Sequence, residues 1–432
     1  MTVFYYTFGC KVNQYETDAI RELMESQGYS TTNKLNLADV CVINTCTVTG
    51  AADIKLKQLL HKIKSSNPSA AVAVCGCFSQ AYHASPLLST ADVIAGENNK
   101  SEVPDMIKKY FETGLKQKKI LSHFQGEKIE PLLLRFGSGK TRAAIKIQDG
   151  CDRFCSYCII PYARGRSRSK PVSEIVCEAK RLVASGHAEL VLVGINLSCY
   201  GEDFKDGTTL ADAVKAVCEE SGAYRVRLGS IEPEMLTPQI ISALSQQTKL
   251  CPQFHLSLQS GCDKTLSQMR RRYTTDDYMD IVACLRDKFP GCSITTDVMV
   301  GFPGETDEDF LESIRFVTKI GFAGVHVFPY SPREGTAAAK RTDLIPESVK
   351  SARAKLMSEA AEAGKKAYLH SLVGTVQSVL FEKEKDSVWH QGYAPCYTLV
   401  KVKRFTDTLR RQIRNVRIIS VHDDFCIGEI EK

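Results

Sequence analysis

The sequence predicts an α/β protein in three parts: an N-terminal parallel α/β unit, a central partial (β/α)6 barrel and a small C-terminal β-barrel. Three observations predict it. Strand-like and helix-like runs alternate through residues 1–112. The alternation resumes between Ala143 and Pro329, and after Gly374 it gives way to short β-type runs. Strands alternating with helices of this length imply a parallel sheet covered on both faces.

The elements follow in chain order. Val3–Phe8 is a β-branched and aromatic run, and Glu16–Ser26 is helical with Ile20, Leu23 and Met24 on its apolar side. Strand Val40–Asn44, helix Ala51–Lys64, strand Ala70–Cys75, a second helical stretch and strand Val93–Ile94 complete the first unit, residues 1–113. Residues 114–142 hold Lys116, Lys118, Lys119, Gly126, Pro131, Gly137 and Gly139, turn formers without periodicity, and read as a linker. The central unit, 143–370, has candidate strands Ala143–Ile147, Glu189–Val193, Arg225–Leu228, Phe254–Leu258, Ser293–Val298 and Gly324–Pro329. Helices such as Val172–Ser185 and Thr275–Lys288 separate them, and Pro346–Leu369 is a trailing helix. Folds of this kind carry their chemistry on loops at the strand carboxyl ends. Val376–Phe381, Tyr397–Val402 and Val416–His422 make the C-terminal β-barrel, 371–432.

Composition narrows the class. Hydrophobic residues are 43% and charged residues 25% of 432, so the chain buries a large core without disulfides. No charged segment precedes an apolar one at Met1–Tyr6, and the apolar runs at Ala188–Leu197 and Ala70–Cys77 fall short of the roughly 18 residues of a membrane helix. The expected location is the reducing cytoplasm, away from any membrane, where 17 cysteines serve as core, metal ligands or thiol catalysts.

Two cysteine sets have ligand-like placement. Cys151-Asp152-Arg153-Phe154-Cys155-Ser156-Tyr157-Cys158 directly follows the first central strand, so one loop aims three thiolates at one centre. A structural zinc site normally takes a fourth ligand, and no second pair follows closely. A four-iron cluster held by three cysteines leaves one iron open, although a zinc knuckle or core packing is the plainer alternative. Cys10, Cys46 and Cys77 each sit just past a strand of the N-terminal unit, and parallel strands line those ends along one edge. Each alone reads as buried core. Three at equivalent positions predict a second cluster. Cys41 and Cys75 lie within strands and belong to the core.

With both sets in place, the chain resembles the radical S-adenosylmethionine (SAM) methylthiotransferases over essentially its whole length. The matching stretches are Gly9–Gln14, Asn44–Cys46, Gly76-Cys77, Gln148–Tyr162, Ser230–Pro233, Ser257–Gly261 and Asp297–Thr306. Gly9–Thr17, Ile159–Arg168 and Met269–Thr274 resemble the branch that acts on threonylcarbamoyladenosine in tRNA. The resemblance implies an N-terminal cluster domain, a radical-SAM barrel and a TRAM-like domain. It implies two 4Fe–4S clusters, Cys151, Cys155 and Cys158 holding the radical one and Cys10, Cys46 and Cys77 the sulfur-delivering one. SAM would serve as methyl donor and as source of a 5′-deoxyadenosyl radical. The reaction replaces an unactivated aromatic C–H at adenine carbon 2 by C–S, which no base achieves at neutral pH, so the cofactors carry the chemistry. The sister reactions, on isopentenyladenosine in tRNA or on a ribosomal-protein aspartate, and a non-catalytic iron–sulfur RNA-binding protein are the alternatives.

Further expectations rest on position. Tyr157, Gly194, Glu232, Ser257, Gln259 and Arg270 lie at strand ends or the cysteine loop where SAM would bind; Gly194 gives backbone access. Asn13 and Asn44 face the sulfur or the substrate, or cap helices. Gly301–Thr306 lacks the Lys-Ser/Thr of a nucleotide loop and reads as a turn and helix cap. His61, His83 and His123 show no ligand spacing. Lys401, Lys403, Arg404, Arg410, Arg411, Arg414 and Arg417, opposed only by Asp407, match the whole chain's +6 and suit a phosphate backbone. Trp389, Tyr393, Tyr397 and Phe405 are candidate stacking rings. Arg164, Arg166 and Arg168 are expected nearer the reacting nucleotide. The implied partners are a tRNA anticodon stem-loop, a flavodoxin- or ferredoxin-like electron donor and a sulfur source.

Overall fold

The computed structural model describes the chain except residues 124–126, 138, 385–386, 405–407 and 432; Gly126, Phe405 and Asp407 therefore lie outside the described residues. The N-terminal sheet contains β1 (Thr2–Thr7), β2 (Ser30–Thr31), β3 (Val40–Thr45), β4 (Ala71–Gly76), β5 (Val93–Ala95) and β6 (Gln117–Lys119), all parallel in the order β2-β1-β3-β4-β5-β6. Side chains alternate across a strand, so β3 sends Val40 and Val42 to one core and Cys41 and Ile43 to the other. On the first face lie α1 (Lys11–Ser26) and, after α2 (Gly50–Ser66) and α3 (Cys77–Ala81) on the opposite face, α4 (Val103–Thr113). Cys41 and Cys75 are core residues, as expected.

The central unit is an open, curved parallel sheet. β7 (Arg142–Lys146) leads through the short antiparallel pair β8 (Gln148–Asp149) and β9 (Arg168–Ser169) to β10 (Glu189–Val193) and β11 (Arg225–Leu228). β12 (Ser230–Ile231), β13 (Gln253–Leu256), β14 (Ser293–Val300) and β15 (Gly324–Pro329) continue it, joined to β11 by the single bridge Val226–Leu250. The intervening helices are α5 (Ile160–Arg164), α6 (Val172–Ala184), α7 (Leu210–Glu220), α8 (Pro238–Ser245), α9 (Asp263–Gln268), α10 (Thr275–Lys288) and α11 (Asp307–Ile320), and α12 (Glu347–Ser371) trails. The Gly301–Thr306 turn is a helix start: Thr306 and Asp309 form a capping box. The five last strands, β16 (Val376–Phe381), β17 (Trp389–Tyr393), β18 (Leu399–Lys403), β19 (Ile413–His422) and β20 (Phe425–Ile430), close a barrel in the order β16-β17-β18-β20-β19.

The units share their packing. α1 sets Val12 against Val191 and Val193, while Tyr15 donates from its hydroxyl to Glu178 and the Leu132 carbonyl. One continuous core runs from Val3 through Leu132 and Leu134 to Ile145 and Leu190. The stretch 114–142 is thus not a free linker. It contributes strand β6, two core leucines and the buried carboxylates Glu127 and Glu130. Turn residues forecast an irregular path, but they carry no information about whether that path is exposed. No described helix is long and apolar enough to cross a membrane.

Candidate active site

Two Gly-Cys dipeptides build the N-terminal cysteine set. Gly9 has φ +93°, and a Cβ there would stand 2.6 Å from the Cys46 Cβ; Gly76 has φ +101°, and a Cβ would meet the Asn44 Oδ1 at 2.4 Å. Only glycine adopts this backbone at such close approach, so the loops carrying Cys10 and Cys77 close on the Cys46 loop. Cys10 is exposed at the start of α1, whereas Cys46 and Cys77 are buried. Burial pushes the Cys46 thiol up and the Cys77 thiol up to about 12. Asn13 and Asn44 are not caps. Asn13 donates from Nδ2 to the Thr45 carbonyl and turns Oδ1 toward Cys10 Sγ at 3.5 Å, while Asn44 donates to the Asn13 carbonyl.

Arg164 binds this site to the central unit. Its Nε donates to Cys77 Sγ at 3.2 Å and its Nη2 to Asn13 Oδ1 at 2.8 Å. Nη1 sits among Glu16, Glu97 and Asp149 at 2.8–2.9 Å. These three carboxylates are the one group of three or more His, Cys, Asp or Glu ligand atoms converging within 4.8 Å among the described residues, and a guanidinium fills their centre. Lys100 and Lys146 complete the cage. Burial alone would raise Glu16 and Asp149, yet the surrounding cations hold both well below the usual carboxylate range. Arg164 is therefore not a solvent-facing RNA contact. It is the last residue of α5, whose short turn points it inward at 0% exposure.

The second set, Cys151, Cys155 and Cys158, lies half-buried on the loop beyond β8. Asn196 donates to Cys151 Sγ at 3.6 Å and Arg271 to Cys155 Sγ at 3.3 Å. Burial pushes Cys158 up to about 12, reinforced by its neighbour Cys155. Soft thiolates in threes match the donor chemistry of iron–sulfur clusters.

The description Radical SAM superfamily matches residues 145–317, and Uncharacterized protein family UPF0004 matches residues 2–96. A Thermotoga maritima threonylcarbamoyladenosine tRNA methylthiotransferase is 38% identical over 99% of this chain and 96% of its own length. Its Bacillus subtilis namesake is 34% identical over 96% and 93%. The chain belongs to the radical-SAM methylthiotransferase family. It is an enzyme that transfers a methylthio group. A tRNA-2-methylthio-N6-dimethylallyladenosine synthase of Fusobacterium nucleatum is 36% identical over 82% of each chain. Among solved structures, the radical SAM methyltransferase TsrM of Kitasatospora setae, with cobalamin and a 4Fe–4S cluster bound, shares the fold at TM-score 0.57 and 13% identity, covering 78% of this chain and 74% of that one.

The expected SAM-side residues of this methylthiotransferase separate into three groups. Gln259 is buried with φ +67°, and its Oε1 has no partner; Asn196 Oδ1 is likewise buried and unpartnered. Such groups are costly unless a ligand satisfies them. Glu232 is paired with Arg271 in a short contact, Ser257 is buried with its carbonyl accepting from the Tyr273 hydroxyl, and Tyr157 packs edge-on to Phe302. Gly194 and Arg270 form the third group. The space a Gly194 side chain would fill is taken by Gln148, whose Oε1 lies 2.8 Å away and accepts from the Asn196 amide. Arg270, with φ +60°, faces solvent, and that left-handed step turns the next residue, Arg271, onto Cys155. The run Arg270-Arg271-Arg272 signals a cation at the site, but the helix-ending conformation decides which one enters.

The basic C-terminal segment is also divided. Lys403, Arg410 and Arg414 are exposed; Lys401 lies over Phe425, Arg411 reaches the Lys140 carbonyl, and Arg417 pairs with Glu431. Arg404 is half-buried. Tyr393 and Tyr397 stack on each other at 4.8 Å beneath Arg142, so they are engaged in domain packing rather than presented as a stacking platform. Arg225 and Arg227 donate to the Ser378, Tyr393 and Pro395 carbonyls, which seats the C-terminal barrel at the amino ends of the central strands. Arg166 is exposed and pairs with Asp152, whereas Arg168 is buried against Glu127. His123 bonds Glu127 and the Ala163 carbonyl; His61 and His83 are exposed.

Proposed function

We propose that this enzyme adds a methylthio group to carbon 2 of threonylcarbamoyladenosine beside the anticodon of a tRNA, using two 4Fe–4S clusters and SAM in the cytoplasm. The observation that carries the reading is the junction of two cysteine triads: Arg164, six residues after Cys158, donates directly to Cys77. Length supports the branch. Threonylcarbamoyladenosine enzymes among the relatives are covered over 93–100% of their length, the dimethylallyladenosine enzymes over 79–86%.

Cys151, Cys155 and Cys158 hold one cluster, with the hydrogen bonds from Asn196 and Arg271 fixing two of the sulfurs. Cys10, Cys46 and Cys77 hold the other, with Cys10, the exposed member, on the accessible side. A reduced cluster with SAM bound supplies the one-electron hydrogen-atom abstraction that an aromatic C–H requires. Gln259 and Asn196 offer unsatisfied acceptors to the SAM amine and hydroxyls, and Glu232 positions Arg271 against Cys155. Arg166, Lys403, Arg410 and Arg414 meet phosphates of the anticodon stem-loop. A flavodoxin- or ferredoxin-like protein supplies electrons, and a separate source replenishes sulfur.

Nucleoside mass spectrometry tests the substrate. Deleting the gene should remove methylthiolated threonylcarbamoyladenosine from tRNA and leave threonylcarbamoyladenosine in its place. Loss of the dimethylallyl product instead would reassign the branch.

A further inference from the structure

A groove of about 1390 Å³ runs beside both cysteine sites, and nothing in the reading above uses it. One wall is α2, which begins four residues after Cys46. The other is the segment from Phe78 to Thr90 that starts at Cys77, and one end is closed by Ile159 and Tyr162 just past Cys158. Its volume exceeds that of a pocket for a small ligand, roughly 300–1,000 Å³.

The lining chemistry is particular. α2 carries four lysines against one aspartate, and Lys57, His61 and Lys64 line the groove at helical spacing. Among the described residues none of Lys55, Lys57, Lys62 and Lys64 forms an ion pair, whereas Asp53 is taken by Arg333 at 2.6 Å. The exposed Glu334 is the other lining carboxylate. Aromatic rings stand among the cations: Tyr162 is 55% exposed, and Tyr82 lies under Arg333. Arg333 itself is 5% exposed, yet its buried Nε has no hydrogen-bond partner. A solvated basic face would have neither the concavity nor the rings.

We propose that this groove seats single-stranded nucleotides of the RNA substrate flanking the reacting base. The backbone lies along Lys57, His61 and Lys64, and a base stacks on the exposed Tyr162 ring. Alternating cations and rings in a channel is how proteins hold unpaired strands. Position supports it too. The groove lies directly beside the segments that carry Cys46, Cys77 and Cys158. An acidic redox protein would also find cations here, but it gains nothing from the Tyr162 ring set among them. The inference rests on the tRNA reading above.

The test is binding of an anticodon stem-loop RNA to the full-length, cluster-loaded protein across a salt series. The Lys57→Glu/Lys64→Glu double variant should bind about tenfold more weakly or worse. Its log–log salt slope should be shallower by about 1.4, two contacts at roughly 0.7 each for a single strand. Tyr162→Ala should lose about tenfold with the slope unchanged, as a stacking loss predicts. Iron content equal to wild type verifies folding of each variant. Wild-type affinity and slope in both variants would overturn the assignment. So would normal RNA binding with slowed reduction by an acidic electron donor, which would make the groove a protein site. A wild-type protein that binds no stem-loop overturns the substrate reading and the groove with it.

Discussion

The two cysteine sites reach similar donor sets by opposite routes. The central site is local: one loop supplies Cys151, Cys155 and Cys158, and the surrounding fold adds Asn196 and Arg271. The N-terminal site is assembled at long range from three strand ends, and a residue of the other unit, Arg164, is buried against it. A local site needs only its loop, whereas the tertiary site gains its Arg164 contact only when the two units are docked. The N-terminal site should thus be the one sensitive to the interface.

The largest effect expected is from breaking the local site. Cys155→Ala should abolish SAM cleavage and methylthio transfer together, by anaerobic product analysis; retained cleavage would mean that another residue holds the cluster. Next comes the interface. Arg164→Ala leaves Glu16, Glu97 and Asp149 without their central cation, and losing one partner of a buried pair costs about 3–5 kcal/mol. Thermal melting should record it, with iron lost first from the N-terminal site; an equal loss from both sites would contradict the contrast drawn here.

A smaller effect is expected at Arg271→Gln, which weakens a donor to Cys155 and should shift the central cluster's potential negative. The ceiling is about 130 mV if a charge-assisted hydrogen bond of about 1.5–3 kcal/mol were lost wholly from the reduced state. An EPR-monitored redox titration reads it, and an unchanged potential would remove Arg271 from the site's electrostatics. The smallest is in acid. Glu16 and Asp149 have lowered folded values, so the stability they contribute is complete above the unfolded carboxylate range near about 4 and is lost as pH falls below it. Melting should be insensitive to these groups near neutrality and decline only in acid; decline beginning near pH 6 would point to other groups.

Much of this was legible in the sequence, because the informative signals were periodic or local. Glu189–Val193, Arg225–Leu228, Gly324–Pro329 and Thr275–Lys288 have the predicted bounds. Both cysteine triads lie at strand carboxyl ends, since topology alone puts them there. Side-chain direction was not legible. Arg164 and Arg166 differ by two positions, and one is enclosed while the other is solvated. Arg271 rather than Arg270 enters the site because of one left-handed residue. β17 and β20 went unread, as their short runs hold Gly392 and Gly428, which interrupt the strand pattern. Helix α2 is read from the sequence as Ala51–Lys64, but its basic face carries no separate signal because its lysines are interspersed with apolar residues.

The central claim is that the two cysteine sites divide the reaction, one for SAM cleavage and one for sulfur delivery. Cys10→Ala in the full-length protein, loaded anaerobically and supplied with SAM, reductant and tRNA, tests it most directly by simultaneous assay of 5′-deoxyadenosine and methylthiolated nucleoside. The account predicts that 5′-deoxyadenosine still forms while the methylthiolated product vanishes. Loss of both, with the central cluster intact, or persistence of the methylthiolated product would contradict it.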